Sequence, residues 1–234
     1  ILEAEAKRNL EESQKVSLNV SEYEKFCDTF KFTETPDQER VIREVIADLL
    51  SDKPQDRLIC GEVGFGKTEV ALRASFIVAQ NDYQVCILAP TTVLAKQHFE
   101  VFKERFSEFP YRICLLTREQ TKVEKAEIYK KIKENYFSII IGTHALFNKE
   151  ISFMNLNLLI IDEEHKFGVR QKEKIRSLKN GINVISLSAT PIPRTLNLSL
   201  SKVRDISLIT TPPIGRKSVK TIVSRYSKSL VFEA

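Results

Sequence analysis

One short loop limits the fold of this chain more than any other stretch. Residues 61–68 read GEVGFGKT and fit the pattern G-x-x-x-x-G-K-[ST] at every fixed position. The glycines let the backbone wrap tightly, so that successive N–H groups point inward at a triphosphate. Lys67 supplies a cation for the β- and γ-phosphates, and the Thr68 hydroxyl can be a ligand of Mg²⁺. The loop therefore predicts a site for a nucleoside triphosphate and Mg²⁺.

The neighbouring sequence has the strand and the helix that such a loop requires. Residues 57–60 read RLIC, which is typical of a short buried strand, and Val70, Ala74 and Ile77 recur at helical spacing after the loop. The predicted helix adds the positive end of its dipole to the site. The residues that we expect to bind the nucleotide here are Glu62, Val63, Gly64, Phe65, Gly66, Lys67, Thr68 and Glu69.

A second nucleotide contact is predicted upstream of the loop. Thr35 can cap a helix that has Pro36 at its first position and Gln38 at its third, which is a capping box. The amide of Gln38 also suits the base of ATP, because it can donate to and accept from adenine at once. Phe30 and Phe32 are candidates for stacking on that base, although either ring also suits the core. The sequence leaves both interpretations of these side chains open.

Composition excludes several classes of protein. The 234 residues are 42% hydrophobic, enough for one substantial core, and they include no run of about 18 uncharged apolar residues, so no membrane span is expected. The four cysteines lie far apart without C-x-x-C spacing, which favours free thiols in a reducing cytoplasm. The net charge is +5, and basic runs at 166–181 and 202–228 suit either nucleic-acid phosphates or a solvated surface. The sequence begins at Ile1, and its sole methionine is Met154, so we expect a piece of a longer protein.

Strands and helices alternate after the loop, which predicts a three-layer α/β fold. Continuous apolar strands joined by helical crossovers imply a mostly parallel sheet that is covered on both faces. We expect a helical appendage at 1–34, the main domain at 35–210 and a basic linker at 211–234, with a capping box of Ser21 and Glu24 opening a helix in the appendage. The strand-like runs are 84–89, 111–116, 137–141, 156–161, 183–188 and 206–210, and the helical segments include 93–105, 122–134 and 170–178.

A second chemical signal follows an apolar strand at 158–161. Asp162 and Glu163 stand at its C-terminal end, where ligands bind in open parallel sheets. Asp162 is suited to hold Mg²⁺, and Glu163 to orient and deprotonate an attacking water. Ser188 and Thr190 follow the next apolar run, and their hydroxyls are suited to bond this acidic pair and to report on the γ-phosphate.

The histidines are not expected to bind a metal. His98, His144 and His165 are the only three in the chain, and no two of them stand at a metal-ligand spacing. Mg²⁺ held through Thr68 and Asp162 is therefore the only metal that we expect.

These motifs, in this order, resemble those of the superfamily 2 helicases and translocases with an Asp-Glu-x-His motif. The resemblance implies a RecA-like lobe that hydrolyses ATP with Mg²⁺ and contacts the backbone of one DNA strand. Residues 90–97 (PTTVLAKQ) are similar to motif Ia of that family, and residues 141–144 (IGTH) to a later DNA-contacting motif. The family resemblance also implies that His165, Ser188 and Thr190 couple the site to a second lobe. The implied DNA contacts are Pro90, Thr91, Thr92, Gln97, Gly142, Thr143, His144 and Arg194.

Longer matches narrow the resemblance to the bacterial transcription-repair coupling factors. Segments 64–71, 162–170 and 189–195 carry it, and it covers about residues 20–234. That family implies an ATP-driven double-stranded DNA translocase that displaces stalled RNA polymerase and couples transcription to nucleotide excision repair. The second RecA-like lobe, and the regions that contact RNA polymerase and repair proteins, are expected outside this chain. The isolated chain is then expected to be almost inactive, because loss of an arginine finger costs about 10³–10⁵ in rate.

Two other functions stay open, and two are disfavoured. RecG-type branched-DNA translocases share the signatures at 167–169 and 190–195 but usually have Gln where Glu164 stands. A non-catalytic interaction module regulated by nucleotide also fits the isolated chain. A GTPase needs Asn-Lys-x-Asp, whereas the only Asn-Lys here is followed by Glu150 and Ile151. A small-molecule kinase has no need of the acidic sequence at 162–165.

Overall fold

Strands and helices alternate along the part of the chain that the computed structural model describes, which is residues 14–178, 181–190, 204–216, 223–225 and 227–228. The strands are β1 (Asp56–Gly61), β2 (Gln84–Leu88), β3 (Ile113–Leu116), β4 (Ile139–Gly142), β5 (Leu156–Asp162), β6 (Asn183–Ser188) and β7 (Asp205–Ile209). The helices are α1 (Val20–Asp28), α2 (Pro36–Leu49), α3 (Lys67–Ala79), α4 (Thr92–Arg105), α5 (Lys122–Lys133) and α6 (Val169–Leu178). Short 3₁₀ turns follow β4 at His144–Phe147 and β5 at Glu164–Lys166.

The seven strands form one parallel sheet in the order β3-β4-β2-β5-β6-β1-β7. Successive residues of each central strand face opposite sides, so Leu158 and Ile160 of β5 join one core cluster, and Leu159 and Ile161 join the other. Helices α1 to α4 cover the first face, and α5 and α6 cover the second. The predicted three-layer α/β fold is confirmed.

Each strand predicted from an apolar run is present, with ends that differ by two residues or fewer. The runs predicted to start at 111 and 137 enter the sheet at Ile113 and Ile139. Residues 219–223 of the predicted linker read VKTIV, which predicts one short strand, and they lie almost wholly outside the described residues. In the part of the chain that is described, no helix is both long and apolar enough to cross a membrane.

Helix α2 begins with the capping box that the sequence predicts. The backbone N–H of Gln38 donates to the Thr35 hydroxyl, the Gln38 side chain accepts from the backbone N–H of Thr35, and Pro36 is the first helical residue. The predicted capping box at Ser21 and Glu24 is wrong. Helix α1 starts one residue before Ser21, at Val20, and its cap is Asn19, whose extended backbone lets the side chain accept from the Glu22 N–H.

Helix α1 packs directly on α3. The Phe26 side chain is fully buried, and its ring stacks on the Phe76 ring with 4.3 Å between the centroids. Arg105 of α4 lies over the Phe26 ring, with its guanidinium carbon 4.8 Å from the ring centroid. Aromatic contacts of this kind add to the free energy of burying the rings, so α1 forms part of the core. The first 13 residues of the predicted helical appendage lie outside the described residues.

Candidate nucleotide-binding site

The loop at 61–68 and the acidic residues after β5 lie at the same edge of the sheet. Strand β6 pairs with β1 on one side, where Cys60 is opposite Ser188, and with β5 on the other, where Asp162 is opposite Leu187. The three strands are parallel, so their carboxyl ends meet at this edge. Two strand spacings, about 10 Å, separate the two motifs. The predicted phosphate loop and acidic pair are therefore neighbours.

The loop bends into α3 through two glycines. Gly64 and Gly66 both have φ of +81°, a left-handed conformation that glycine adopts without steric cost. Gly66 also faces Nε2 of Gln38 so closely that an added Cβ would collide with it. Conformation and contact together require glycine at position 66.

The Lys67 side chain folds back over the loop. Its ammonium group donates to the carbonyl oxygens of Gly61, at 2.6 Å, and Glu62, at 3.0 Å. Burial lowers the pKa of Lys67, while the nearby carboxylates of Glu163 and Asp162 act in the opposite direction. The phosphate-loop lysine and the acidic pair thus share one electrostatic environment.

Gln38 connects helix α2 to the phosphate loop. Its side chain is 3% exposed, its oxygen accepts from the N–H of Thr35 at 2.8 Å, and Nε2 donates to the carbonyl oxygen of Phe65 at 2.9 Å. A side-chain amide has two N–H donors, so one of them remains for another acceptor. The capping role is confirmed, and the contact with Phe65 was not predicted.

Asp162 forms a hydrogen bond with His98, a histidine that is not among the predicted site residues. Nε2 of His98, on α4, lies 2.9 Å from Oδ2 of Asp162, and the His98 side chain is buried. The two residues are 64 positions apart, so no local pattern predicts their contact. The only signal in the sequence is that His98 directly follows residues 90–97, the segment similar to motif Ia.

Glu163 is held by the end of β6. Its Oε1 accepts from the backbone N–H of Ala189 at 2.9 Å, and its own N–H donates to the carbonyl oxygen of Leu187 at 2.9 Å. The other carboxylate oxygen is buried without a hydrogen bond from any described residue, and Nδ1 of His165 lies 3.3 Å from it. Glu163 also has φ of +49°, a strained conformation of the kind that concentrates at functional sites.

The residues after β6 contact the acidic pair in a way that differs from the prediction. We expected the hydroxyls of Ser188 and Thr190 to bond the carboxylates. Instead, these hydroxyls lie 2.7 Å from each other, and the backbone N–H of Ala189 makes the bond to Glu163. A backbone donor leaves no pattern in side-chain types, so the sequence could not specify it.

A cavity of about 650 Å³ opens beside the loop and contains the predicted base-binding residues. The rings of Phe30 and Phe32 meet edge to face at 5.6 Å, and Phe32 is 72% exposed. The Glu69 carboxylate forms buried ion pairs with Arg73 and Arg105, at 2.9 and 2.8 Å. The cavity lining includes Phe30, Phe32, Gln38, Gly64, Gly66, Thr68, Glu69 and Arg216.

The segment after β7 returns to the phosphate loop. Both the N–H and the hydroxyl groups of Thr210 and Thr211 donate to Oδ2 of Asp37, at 2.7–3.0 Å. Farther along, the guanidinium carbon of Arg216 lies 4.6 Å from the centre of the Phe65 ring, and Nη2 lies 3.7 Å from Glu62. Residues 211–216 fall in the predicted linker, and no local pattern indicates their contact with the loop, since the residues are about 150 positions apart.

The candidate DNA-contacting loops stand at the same edge, beyond β5. Strands β2 and β4 are neighbours, so Pro90, Thr91 and Thr92 lie close to the residues that follow Gly142. Thr91 caps α4 by accepting from the N–H of Leu94. Gln97 and His144 are exposed, whereas Thr143 is 2% exposed and its hydroxyl is directed inward. The backbone of Thr143 is engaged as well, since its N–H donates to the carbonyl oxygen of Leu116 and its carbonyl oxygen accepts from the N–H of Leu146. Thr143 is therefore closed to an external ligand in this structure, and Arg194 lies outside the described residues.

The residues at this edge fit a triphosphate and Mg²⁺. Thr68 supplies a hydroxyl and Asp162 a carboxylate, and hard oxygen ligands of these two kinds are what Mg²⁺ prefers. Mg²⁺ is usually held by one or two carboxylates together with substrate phosphates, not by a protein cage. The left-handed glycines and the start of α3 supply the N–H groups for those phosphates.

The fold and the site define a P-loop nucleotide-binding domain with a RecA-like sheet. Comparison with known families agrees, since the sequence profile of the DEAD/DEAH box helicases matches residues 35–198. The chain belongs to the DEAD/DEAH box helicase family.

Individual relatives refine this assignment and confirm the predicted resemblance to the coupling factors. The chain is 44% identical, over its full length, to the transcription-repair-coupling factor of Escherichia coli (strain K12), of which it spans 20%. Over 89% of its length it is 49% identical to the factor of Bacillus subtilis (strain 168), of which it spans 18%. A solved structure of RecG bound to a three-way DNA junction is 32% identical, with a TM-score of 0.81 over 93% of this chain and 29% of RecG.

Proposed function

We propose that this chain is the ATP-binding lobe of an ATP-dependent double-stranded DNA translocase. The observation that carries the proposal is the shared sheet edge: the loop at 61–68 and the Asp162–Glu163 pair flank the end of β6. A site for phosphates beside a carboxylate held by a backbone N–H is what ATP hydrolysis requires.

Each part of the site has a role in this proposal. The loop N–H groups and Lys67 bind the β- and γ-phosphates, and Gln38 and the nearby phenylalanines bind adenine. Thr68 and Asp162 would hold Mg²⁺, which neutralises charge on the β- and γ-oxygens when bound. Glu163 accepts the proton of the attacking water. Its Oε2, which accepts no hydrogen bond from the described residues, is the atom suited to that task.

We further propose that the full-length protein displaces stalled RNA polymerase and couples transcription to nucleotide excision repair. The names and the 44–49% identities of the bacterial relatives support this function. RNA polymerase, the excision-repair proteins and a second RecA-like lobe would then be contacted by regions beyond this chain. His165, Ser188 and Thr190 would couple the site to that lobe. We place the protein in the cytoplasm, in keeping with four free cysteines.

The DNA contacts belong to the same proposal. Pro90, Thr91, Thr92 and Gln97 would meet one strand from the start of α4, and Gly142, Thr143 and His144 from the end of β4, where only His144 of the three is exposed. Backbone N–H groups and helix starts contact phosphates without reading bases, as a translocase requires. Arg194 is proposed from the sequence alone.

A RecG-type branched-DNA translocase is the second candidate. The similarity to RecG, with a TM-score of 0.81, supports it. One contact favours the coupling factor: Glu164 lies 3.3 Å from Arg204 and accepts from the Ser186 hydroxyl at 2.9 Å. An ion pair with arginine needs the carboxylate of Glu164, whereas the RecG-type sequences usually have Gln at this position. Displacement of a stalled polymerase, compared with regression of a branched DNA by the same protein, separates the two candidates.

Glu163→Gln in the full-length protein tests the enzymatic part of the proposal. Loss of the general base should lower ATP hydrolysis by about 10²–10⁴-fold, while titration with a fluorescent ATP analogue shows affinity close to wild type. Glu100→Gln on the exposed face of α4 is the matched control and should hydrolyse ATP at the wild-type rate. Unchanged hydrolysis in the Glu163 variant would show that Glu163 is not the general base, whereas a wild-type full-length protein that binds ATP without hydrolysing it would favour the non-catalytic interaction module. The chain by itself, without a second lobe, should hydrolyse ATP barely above background with or without DNA.

A further inference from the structure

His98 is the one histidine whose side chain is buried in the described part of the chain, and its ring is directed at the acidic pair. Nε2 of His98 lies 2.9 Å from Oδ2 of Asp162. The residue is 9% exposed, and it lies on α4, the helix that Thr91 caps. An ionised carboxylate has no proton to donate, so the Nε2–H of His98 is the donor in this bond.

The bond fixes one of the two oxygens of a candidate metal ligand. With Oδ2 accepting from His98, the Asp162 carboxylate cannot rotate freely, and Oδ1 remains available to a cation. Carboxylates that bind metals are themselves commonly hydrogen-bonded, and loss of such a partner typically lowers metal affinity by 10–100-fold.

We propose that His98 is a positioning residue that orients Asp162 for Mg²⁺ and connects this carboxylate to helix α4. The inference rests on the proposed function, since it takes Asp162 as a Mg²⁺ ligand. It adds a physical connection between two parts of the site. The first residues of α4 are the proposed DNA contacts, and His98 stands six residues, about 9 Å, farther along the same helix. A shift of α4 on DNA would therefore move the donor that holds Asp162.

Two substitutions separate positioning from packing. His98→Phe keeps a ring of similar size and removes the N–H donor, whereas His98→Gln keeps an N–H donor at similar reach. Lys103→Ala, on the exposed face of the same helix, is the control. The readout is binding of a fluorescent ADP analogue to the full-length protein, titrated with Mg²⁺ and repeated in EDTA, with thermal unfolding recorded for each variant.

We expect His98→Phe to raise the Mg²⁺ concentration at half-saturation about 10–100-fold, while affinity in EDTA is unchanged. His98→Gln should stay within a few-fold of wild type, as should the control. A wild-type Mg²⁺ midpoint in His98→Phe would overturn the inference, and so would an equal loss of affinity with Mg²⁺ and with EDTA, since that pattern indicates packing alone. Asp162→Asn tells the two hypotheses apart: if it too leaves the Mg²⁺ dependence unchanged, the metal site of the proposed function is wrong as well.

Discussion

Gln38 and Gly66 constrain each other at the start of α3. The Gln38 amide occupies the space next to Gly66 and bonds the carbonyl oxygen of Phe65, so that helix α2 supports the shape of the loop. A larger residue at 66 would have to displace a buried amide that already makes two hydrogen bonds. The geometry of the loop thus depends on the lack of a side chain at Gly66 and on the Gln38 amide that fills the space beside it.

Gly66→Ala tests this dependence. A left-handed backbone at a non-glycine residue costs about 1–2 kcal/mol, and the added methyl group collides with Gln38. We expect a loss of at least that free energy of unfolding in urea, together with loss of nucleotide binding. Gly168→Ala is the control, because its Cβ would meet only Gln171 Oε1, at 3.9 Å. Wild-type nucleotide affinity in Gly66→Ala would show that the loop tolerates a side chain here.

The elements of the fold could be predicted from sequence because each has a local signal. β4 and β5 are apolar runs, and α2 carries its capping box in four consecutive residues. The missed features are those made by distant residues: His98 on Asp162, Arg216 on Phe65, and the Ala189 N–H on Glu163. Sequence motifs predicted the phosphate loop and the acidic pair. The hydrogen bonds and the ring contact that hold these motifs in place depend on tertiary packing.

Helix α1 is expected to be an integral part of the fold, although the sequence indicated only an appendage. Phe26→Ala removes a fully buried ring that stacks on Phe76 of α3, and large-to-small changes of this kind cost about 3–5 kcal/mol. Urea unfolding measures the loss. Val20→Ala, at a position that is 54% exposed in the same helix, should change stability little. Equal stability of the two variants would mean that α1 is a loosely attached segment.

The segment after β7 is held to α2 by a pH-dependent contact. Burial alone would raise the pKa of Asp37, but hydrogen bonds from Thr210, Arg40 and Thr211 prevail and lower it well below its usual value. A carboxyl with a lowered pKa stabilises the folded state above its unfolded pKa of about 3.9, and this contribution is lost as the pH falls through the folded pKa.

Asp37→Ala should therefore lower the free energy of unfolding at pH 7 by about 1.5–3 kcal/mol, the range for hydrogen bonds to a charged group. Below about pH 4, the difference from wild type should shrink progressively. Urea unfolding at several pH values measures both effects. Glu39→Ala, at an exposed position in the same helix turn, is the control and should show neither. A difference that stays constant into acid would show that Asp37 acts without its charge.

At the scale of the whole molecule, the parallel sheet collects the phosphate loop, the acidic pair and the candidate DNA loops at one edge. The phosphate loop follows β1, the acidic pair follows β5, and the candidate DNA loops follow β2 and β4. Strand β6 lies between the first two and supplies the N–H that holds Glu163. In this arrangement, a change at the nucleotide can reach α4 through Asp162 and His98, and the segment after β7 through Phe65 and Arg216.

A crystal structure with Mg²⁺ and a non-hydrolysable ATP analogue tests the central claim most directly. We predict the triphosphate inside the loop at 61–68, with Lys67 on its phosphates in place of the carbonyl oxygens of Gly61 and Glu62. One Mg²⁺ should lie between Thr68 and Asp162, with Gln38 on the base. A nucleotide bound away from this loop, or a Mg²⁺ site that involves neither Thr68 nor Asp162, would contradict the account.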